Sequence, residues 1–125
     1  MVLIDTDVWI DHLRSFAPAV RFVEAITDTI GMSVITFAEL YVGAADHHEE
    51  HAIEMLASVC TLIDIDHEIG RRAGVLRRKY LRSHAVELPD ALIAATSELR
   101  GAPLVTLNRK HYPMLTNVLV PYRKA

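Results

Sequence analysis

The sequence predicts an α/β protein with a mainly parallel central sheet, because short apolar runs alternate with helix-like segments along its whole length. Strands that alternate with helices are joined by right-handed crossovers, which bury a parallel sheet between two layers of helices. The length of 125 residues and a hydrophobic content of 51% suit one domain with a substantial core. We therefore expect a single domain over residues 1–125, with four to five strands.

The first half of the chain is predicted to contain two strands and four helices. The apolar run Val2–Ile4 is a first strand, and a helical stretch follows it over about 7–13. A second helix is predicted over 17–27, where Val20 and Val23 recur at helical spacing. The remaining elements are a strand over 32–35 and helices over 37–44 and 48–58.

The second half is predicted to contain two long helices and the remaining strands. Asp66 follows a third strand over 61–65 and suits the N-cap of a helix that reaches about Leu81. An apolar helix over 90–99 ends before Gly101, which suits a left-handed C-terminal position. A fourth strand is expected over 103–107, and a short fifth over 118–120.

Composition limits the classes of function. The net charge of −3 gives no overall electrostatic argument for nucleic acid binding, although it leaves room for a local acidic site. The single cysteine, Cys60, excludes an internal disulfide, and we interpret it as a buried, inert thiol in a reducing compartment. Asp5 and Asp7 interrupt any secretory signal, and no apolar stretch approaches the roughly 18 residues that cross a bilayer. We expect a soluble, cytoplasmic protein.

Three carboxylates stand where apolar runs give way to helix-like segments, namely Asp5, Glu39 and Asp90. If the runs are neighbouring parallel strands, these acids meet beyond the carboxyl ends of the strands, where α/β proteins bind their ligands. Carboxylates packed together without a cation repel one another, so some of them must take up protons. The clustering therefore predicts a site for a hard divalent metal ion.

Each of the three acids also has an ordinary structural explanation. Asp5 suits the N-cap of the first helix, and Thr36 with Glu39 matches the spacing of a capping box. Asp90 follows Pro89 at the positive end of a helix dipole. Together, however, they favour a metal site, because burying unpaired carboxylates costs on the order of several kcal/mol. One Mg²⁺ or Mn²⁺ would compensate all three.

Four pieces of the sequence, in this order and spacing, resemble PIN-domain ribonucleases, and most of all the VapC-type toxins of toxin–antitoxin pairs. The pieces are LIDTDVWI (3–10), ITFAEL (35–40), PDALIAAT (89–96) and LVTLN (104–108). The resemblance implies a three-layer α/β/α PIN-like fold, a divalent metal held by acids, and endonucleolytic cleavage of RNA. It also implies a homodimer that is silenced by a cognate antitoxin, whose tail would bring Arg or Lys to the acids.

In the resemblance, Asp5, Glu39 and Asp90 match the first three acids of the family's site. Asp5 and Asp90 would hold Mg²⁺ directly or through water, and Glu39 would orient or deprotonate the attacking water. Thr6 matches a small polar residue beside the first acid. The residues expected to position water and phosphate are Thr6, Thr106 and Asn108.

The sequence departs from the family pattern at the fourth acid. Family members usually carry an aspartate in the segment after the fourth strand, and His111 stands at that place here. The side chain of His111 could be a base, a phosphate contact or a surface group, and Asn108 can offer a carbonyl oxygen. Since Mg²⁺ prefers oxygen and Mn²⁺ tolerates imidazole better, the departure leaves open the number of metals and the level of activity.

Other polar segments have plainer interpretations. The segment 46–51 is rich in His and acids but lacks the His-Glu-x-x-His pattern, so we interpret it as a solvated helix start. Basic residues over 71–82 are interpreted as a solvated helix face, with a phosphate-binding flank for RNA as the alternative. Trp9 and Phe37 suit the core or an interface better than base stacking. Asp7 either reaches the carboxylate site or only caps the first helix.

Two other classes of function remain as alternatives. A phosphoacceptor receiver domain has a similar length and alternation, and Asp64 or Asp66 could be its acceptor, although no Lys-Pro pair follows a fifth strand. A PIN-like domain with weak or no activity, acting only as a binding partner, is the second alternative, because the fourth acid is missing.

Overall fold

A computed structural model describes residues 1–124 and confirms the three-layer α/β/α class. Its five strands are β1 (Val2–Ile4), β2 (Ile30–Ser33), β3 (Thr61–Ile63), β4 (Leu104–Val105) and β5 (Val118–Leu119). They form one sheet in the order β3-β2-β1-β4-β5, and every neighbouring pair is parallel.

Six helices cover the two faces of the sheet. They are α1 (Thr6–Leu13), α2 (Ala17–Glu24), α3 (Val34–Val42), α4 (His47–Ser58), α5 (His67–His84) and α6 (Leu88–Arg100). A short 3₁₀ helix, Arg109–His111, lies between β4 and β5.

The core lies in two clusters, one on each face of the sheet. Consecutive strand residues point to opposite faces, so Leu3 packs in one cluster and Ile4 in the other. Ile4 lies with Trp9 and with residues of α3 and α4, whereas Leu3 lies with residues of α5 and α6. Trp9 is fully buried, which confirms its interpretation as a core residue. The central strand β1 is therefore packed on both faces, and this fixes the position of the residue that follows its carboxyl end.

The boundary between β2 and α3 differs from the prediction. The sequence predicted a strand over 32–35, but the strand ends at Ser33 and Val34 already begins the helix. The hydroxyl of Ser33 accepts a hydrogen bond from the amide of Ile35 and so caps α3. A good N-cap has here outweighed the strand preference of β-branched Val34 and Ile35. Helix α2 also ends earlier than predicted, at Glu24.

Two predicted helix caps are confirmed, although α5 continues to His84 and α6 begins at Leu88. Asp66 caps α5 by accepting a hydrogen bond from the amide of Ile69 at 2.8 Å. Gly101 terminates α6 in the left-handed region with φ 61°, a conformation that glycine adopts without steric cost. The α6 helix buries a face of small residues against the sheet, and this close packing fixes the position of its first turn.

Cys60 lies half-buried after α4 rather than fully inside the core. Burial raises the pKa of its thiol to about 11. Because the thiolate is the reactive form, this agrees with an inert thiol. No helix in residues 1–124 is both long enough and apolar enough to cross a membrane.

Candidate active site

Asp5 is the centre of the candidate site and follows β1 directly. It is the N-cap of α1, where one carboxylate oxygen accepts a hydrogen bond from the amide of Thr6 at 2.8 Å. The other oxygen, Oδ2, accepts hydrogen bonds from the hydroxyls of Thr106 and Tyr112, both at 2.8 Å. Asp5 is only 7% exposed. The same carboxylate therefore caps α1 and lies inside the candidate site.

Asp90 lies beside Asp5 but arrives from a different element. It stands in the first turn of α6, which follows another helix, so it is not at the end of a strand as the sequence suggested. Its Oδ1 lies 3.3 Å from the hydroxyl of Tyr112, and its Oδ2 lies 3.5 Å from Nδ1 of His111. Burial and the charge of Asp5 raise the pKa of Asp90, although His111 and Tyr112 oppose this.

Glu39 lies one turn inside α3 and is exposed. It accepts a hydrogen bond from the hydroxyl of Thr6 at 2.7 Å, and that hydroxyl also lies 3.1 Å from the hydroxyl of Thr36. The capping box proposed for Thr36 and Glu39 is wrong, because Ser33 caps the helix three residues earlier. Glu39 is therefore available to the site and is oriented by Thr6.

Asp7 belongs to the same edge of the sheet. Its Oδ2 accepts hydrogen bonds from the amide of Leu107 and from Nδ2 of Asn108, each at 3.0 Å. The hydroxyl of Thr106 lies 3.3 Å from the same oxygen. Burial, followed by the charge of Asp5, raises the pKa of Asp7 to about 6. Asp7 thus reaches the carboxylate cluster and fixes the segment after β4 against α1.

Tyr112 is the site residue that sequence reasoning missed. Its side chain is 1% exposed, and its hydroxyl stands between Asp5 and Asp90. Burial and the charges of Asp5 and Asp90 raise its pKa, so the hydroxyl remains protonated and acts as a donor. A single aromatic residue in a polar segment usually indicates only a side chain packed in the core. Nothing local in the sequence therefore indicates the contact of Tyr112 with Asp5 and Asp90.

The donor set fits a hard divalent cation bound through few protein ligands. Asp5, Asp90 and Glu39 offer only carboxylate oxygens, and Asp5 and Glu39 both contribute to raising the pKa of Asp90. A cation between these acids would relieve that repulsion. Within residues 1–124 no three His, Cys, Asp or Glu side chains converge as a ready set of ligands. Mg²⁺ commonly takes one or two carboxylates and completes its shell with water, so two direct ligands suffice.

The other polar segments take no part in this site. Asp46 caps α4 and His47 pairs with Glu50 at 2.9 Å on the surface, which matches the predicted solvated helix start. On α5, Arg72 pairs with Glu98 at 2.7 Å. Phe37 is half-buried and packs against Tyr41 with the ring centroids 5.1 Å apart.

Asp11 ties residues 122–124 to α1. It accepts hydrogen bonds from the hydroxyl of Tyr122 at 2.7 Å and from Nζ of Lys124 at 2.8 Å. Burial alone would raise the pKa of Asp11, but the hydrogen bonds of Lys124 and Tyr122 and the charge of Lys124 hold it below its ordinary value. Phe16 packs against Tyr122 with the rings tilted and their centroids 5.6 Å apart.

Replacing Asp11 by asparagine is expected to lower the free energy of unfolding by about 1–2 kcal/mol near pH 7, because two charge-assisted hydrogen bonds are weakened. The pKa is lower in the folded state, so the carboxylate contributes fully above its unfolded value of about 3.9 and less as the pH falls through the folded value. Urea unfolding near pH 7 and near pH 3 measures this, with the exposed Asp64→Asn as control. The difference between wild type and Asp11→Asn should shrink near pH 3, and an equal difference at both values would refute the interpretation.

Comparison with known proteins agrees with this fold. The family model described as PIN domain matches residues 2–114. The chain therefore belongs to the PIN-domain family, which confirms the resemblance seen in the sequence.

Relatives of this chain within that family include VapC proteins that align with nearly its whole length. It is 38% identical over 125 residues to ribonuclease VapC10 of Mycobacterium tuberculosis, covering 98% of this chain and 93% of the relative. It is 36% identical over 126 residues to ribonuclease VapC19 of the same organism, covering 98% and 100%. A solved toxin–antitoxin complex from Klebsiella pneumoniae contains a chain with TM-score 0.87 and 32% identity, covering 99% of this chain and 100% of that one.

The sheet order excludes the receiver-domain alternative. Receiver domains have the order 2-1-3-4-5, in which the third strand lies beside the first. Here β3 is an edge strand separated from β1 by β2. Asp66 caps α5 and pairs with Arg100 at 3.1 Å, so it is engaged structurally at the sheet edge.

Proposed function

We propose that this protein is a metal-dependent endoribonuclease and the toxin component of a type II toxin–antitoxin system, acting on RNA in the cytoplasm. The observation that carries the proposal is the pair of buried Asp5 and half-buried Asp90, whose carboxylate oxygens lie 2.8 and 3.3 Å from the hydroxyl of Tyr112. Two close relatives over nearly the full length are named ribonucleases, which supports the choice of RNA as substrate.

In this proposal Asp5 and Asp90 would hold Mg²⁺ or Mn²⁺. The chemistry that such an ion supplies is activation of water and neutralisation of charge on the scissile phosphate. Tyr112 donates its single hydroxyl proton to Asp5 at 2.8 Å, and the same hydroxyl lies 3.3 Å from Asp90. Thr106 donates a second hydrogen bond to Asp5.

Glu39 is proposed to orient the attacking water or to accept its proton. The hydrogen bond of 2.7 Å from the Thr6 hydroxyl fixes the Glu39 carboxylate, while its exposure leaves the other oxygen open to water. Thr6 therefore acts as a positioning residue for Glu39.

His111 and Asn108 are proposed to contact the substrate rather than to replace the fourth acid as a metal ligand. His111 is exposed and lies 3.5 Å from Asp90, so a protonated ring would place a positive charge at the mouth of the site. Asn108 is exposed, and its side-chain nitrogen Nδ2 donates a hydrogen bond to Asp7. This contact fixes the side-chain amide and so orients its carbonyl oxygen.

The proposed partners are a cognate antitoxin and a second copy of the chain. The solved relative of 32% identity is described as a toxin–antitoxin complex, which supports an antitoxin partner here. A cationic antitoxin tail suits a site in which burial and the charge of Asp5 raise the pKa of Asp90. Light scattering of the purified protein tests the homodimer, and co-purification with the product of a short upstream reading frame tests the antitoxin.

Cleavage of RNA by the purified protein tests the central proposal. We expect cleavage with Mg²⁺ or Mn²⁺, none with EDTA, and recovery when excess metal is restored. Glu39→Gln should retain the fold and lower the rate, because Gln accepts the Thr6 hydrogen bond but cannot take a proton. Absence of cleavage with either metal, together with tight antitoxin binding, would instead favour a PIN-like binding domain without activity.

A further inference from the structure

A basic groove lies beside the candidate site. It has a volume of about 1130 Å³ and runs between α1 and the segments on either side of β5. Its cationic side chains are Arg14, Arg109, Lys110, Arg123 and Lys124, with His111 at the end nearest the carboxylates.

The groove is positive although the whole chain is negative. Five Lys and Arg side chains line it against two carboxylates, Asp7 and Asp11, while the chain carries a net charge of −3. Both carboxylates are engaged, since Asp11 binds Lys124 and Asp7 accepts hydrogen bonds from the segment after β4. Such a local concentration of one sign of charge in a concave surface attracts a polyanion.

Three of the cations are available to a ligand. Arg14, Lys110 and Arg123 are exposed, and within residues 1–124 none of them forms an ion pair. Lys124 and Arg109 instead hold the wall of the groove, through Asp11 and through the carbonyl of Val118 at 3.0 Å. The groove thus combines a fixed wall with unpaired charges.

The groove is continuous with the candidate site. Asp7, Asn108 and His111 line it, and His111 lies 3.5 Å from Asp90. The hydroxyl of Thr106 lies 2.8 Å from Asp5 and 3.3 Å from Asp7, so a single side chain joins the two regions. The backbone of a nucleic acid strand bound in the groove would therefore extend to the carboxylates.

We propose that this groove binds the phosphodiester backbone of single-stranded RNA on one side of the cleaved bond, with Arg14, Lys110 and Arg123 as the phosphate contacts. The proposal rests on the proposed function for the identity of the polyanion. A single strand is favoured because Asp5 is only 7% exposed, and a flexible backbone can bend to bring a phosphate to it. The contacts are to phosphates, so they add affinity without sequence preference.

The test is RNA binding measured in EDTA, where binding is separated from cleavage. A fluorescent single-stranded RNA of mixed sequence is titrated with wild type and with the triple variant Arg14→Gln, Lys110→Gln, Arg123→Gln at several salt concentrations. The matched control replaces three exposed cations of α5, in the variant Arg78→Gln, Lys79→Gln, Arg82→Gln. Both variants lose the same charge, and thermal unfolding verifies that both are folded.

We expect the groove variant to bind at least about tenfold more weakly than wild type. The slope of log K against log salt should become smaller in magnitude by roughly 2, since each of the three phosphate contacts to a single strand contributes about 0.7. The α5 variant should bind as wild type does. Equal losses in both variants, a loss only in the α5 variant, or wild type that does not bind RNA at low salt would each overturn the groove assignment. Cleavage by the wild type decides the proposed function separately, because a protein can bind RNA in the groove without cutting it, or cut it without using the groove.

Discussion

Replacing Asp5 by asparagine is expected to lower the rate of RNA cleavage by at least about 100-fold, equivalent to about 3 kcal/mol of transition-state stabilisation. The substitution removes the charge of the most buried of the three carboxylates and leaves a weaker oxygen ligand for a divalent cation. The same reasoning applies to Asp90→Asn, whose carboxylate is the partner of Asp5 at the hydroxyl of Tyr112.

The Asp5→Asn variant should nevertheless fold, because the surrounding groups can adapt. The carbonyl oxygen of the asparagine can still accept the hydrogen bond from the amide of Thr6. The hydroxyls of Thr106 and Tyr112 each have a second carboxylate within reach, Asp7 at 3.3 Å and Asp90 at 3.3 Å. Loss of activity would then report on chemistry and not on unfolding.

Initial rates of cleavage at saturating metal, with thermal unfolding of the same samples, measure this effect. Asp64→Asn is the matched control, since Asp64 is exposed and follows the edge strand β3. Cleavage by Asp5→Asn and Asp90→Asn at the wild-type rate would exclude both residues from the mechanism.

Replacing Tyr112 by phenylalanine is expected to lower the free energy of unfolding by about 1–3 kcal/mol in metal-free buffer near pH 7. The phenylalanine ring can occupy the same buried volume, so the cost comes from the hydroxyl alone. Without that hydroxyl, Asp5 loses a donor at 2.8 Å and faces Asp90 with less compensation of charge.

A double-mutant cycle separates this electrostatic role from packing. In the Asp5→Asn background the same Tyr112→Phe change should cost about 1 kcal/mol less, because the charged acceptor is already gone. Tyr80→Phe is the control for loss of a tyrosine hydroxyl, since Tyr80 is half-buried and its hydroxyl makes no hydrogen bond within residues 1–124. Additive effects of the two substitutions would show that the hydroxyl does not couple to Asp5.

The architecture could be predicted from the sequence because its signals are local. Short apolar runs gave all five strands, and the caps at Asp66 and Gly101 lie at the predicted ends of their helices. The start of α3 was misplaced because Val34 and Ile35 favour strands, while the outcome depended on one side-chain cap from Ser33.

The arrangement of the candidate site was less predictable, because it depends on contacts between distant residues. Asp5, Glu39 and Asp90 could be selected as acids, but the connection of Glu39 through Thr6 spans 33 residues. No local sequence pattern indicated the roles of Tyr112 and Asp11, since their hydrogen-bond partners become neighbours only when the sheet is complete. The sequence indicated which groups carry the chemistry, and the tertiary structure supplies the hydroxyls that hold them.

These long-range contacts have a consequence for synthesis of the protein. Asp5 leaves the ribosome well before the hydroxyls that orient it, which follow 101 and 107 residues later, on Thr106 and Tyr112. The strand β4, which pairs with β1, also emerges only then. If the proposed nuclease activity needs the complete site, a nascent chain remains inactive until Thr106 and Tyr112 have been translated, and until then it does not cleave the messenger RNA from which it is being made.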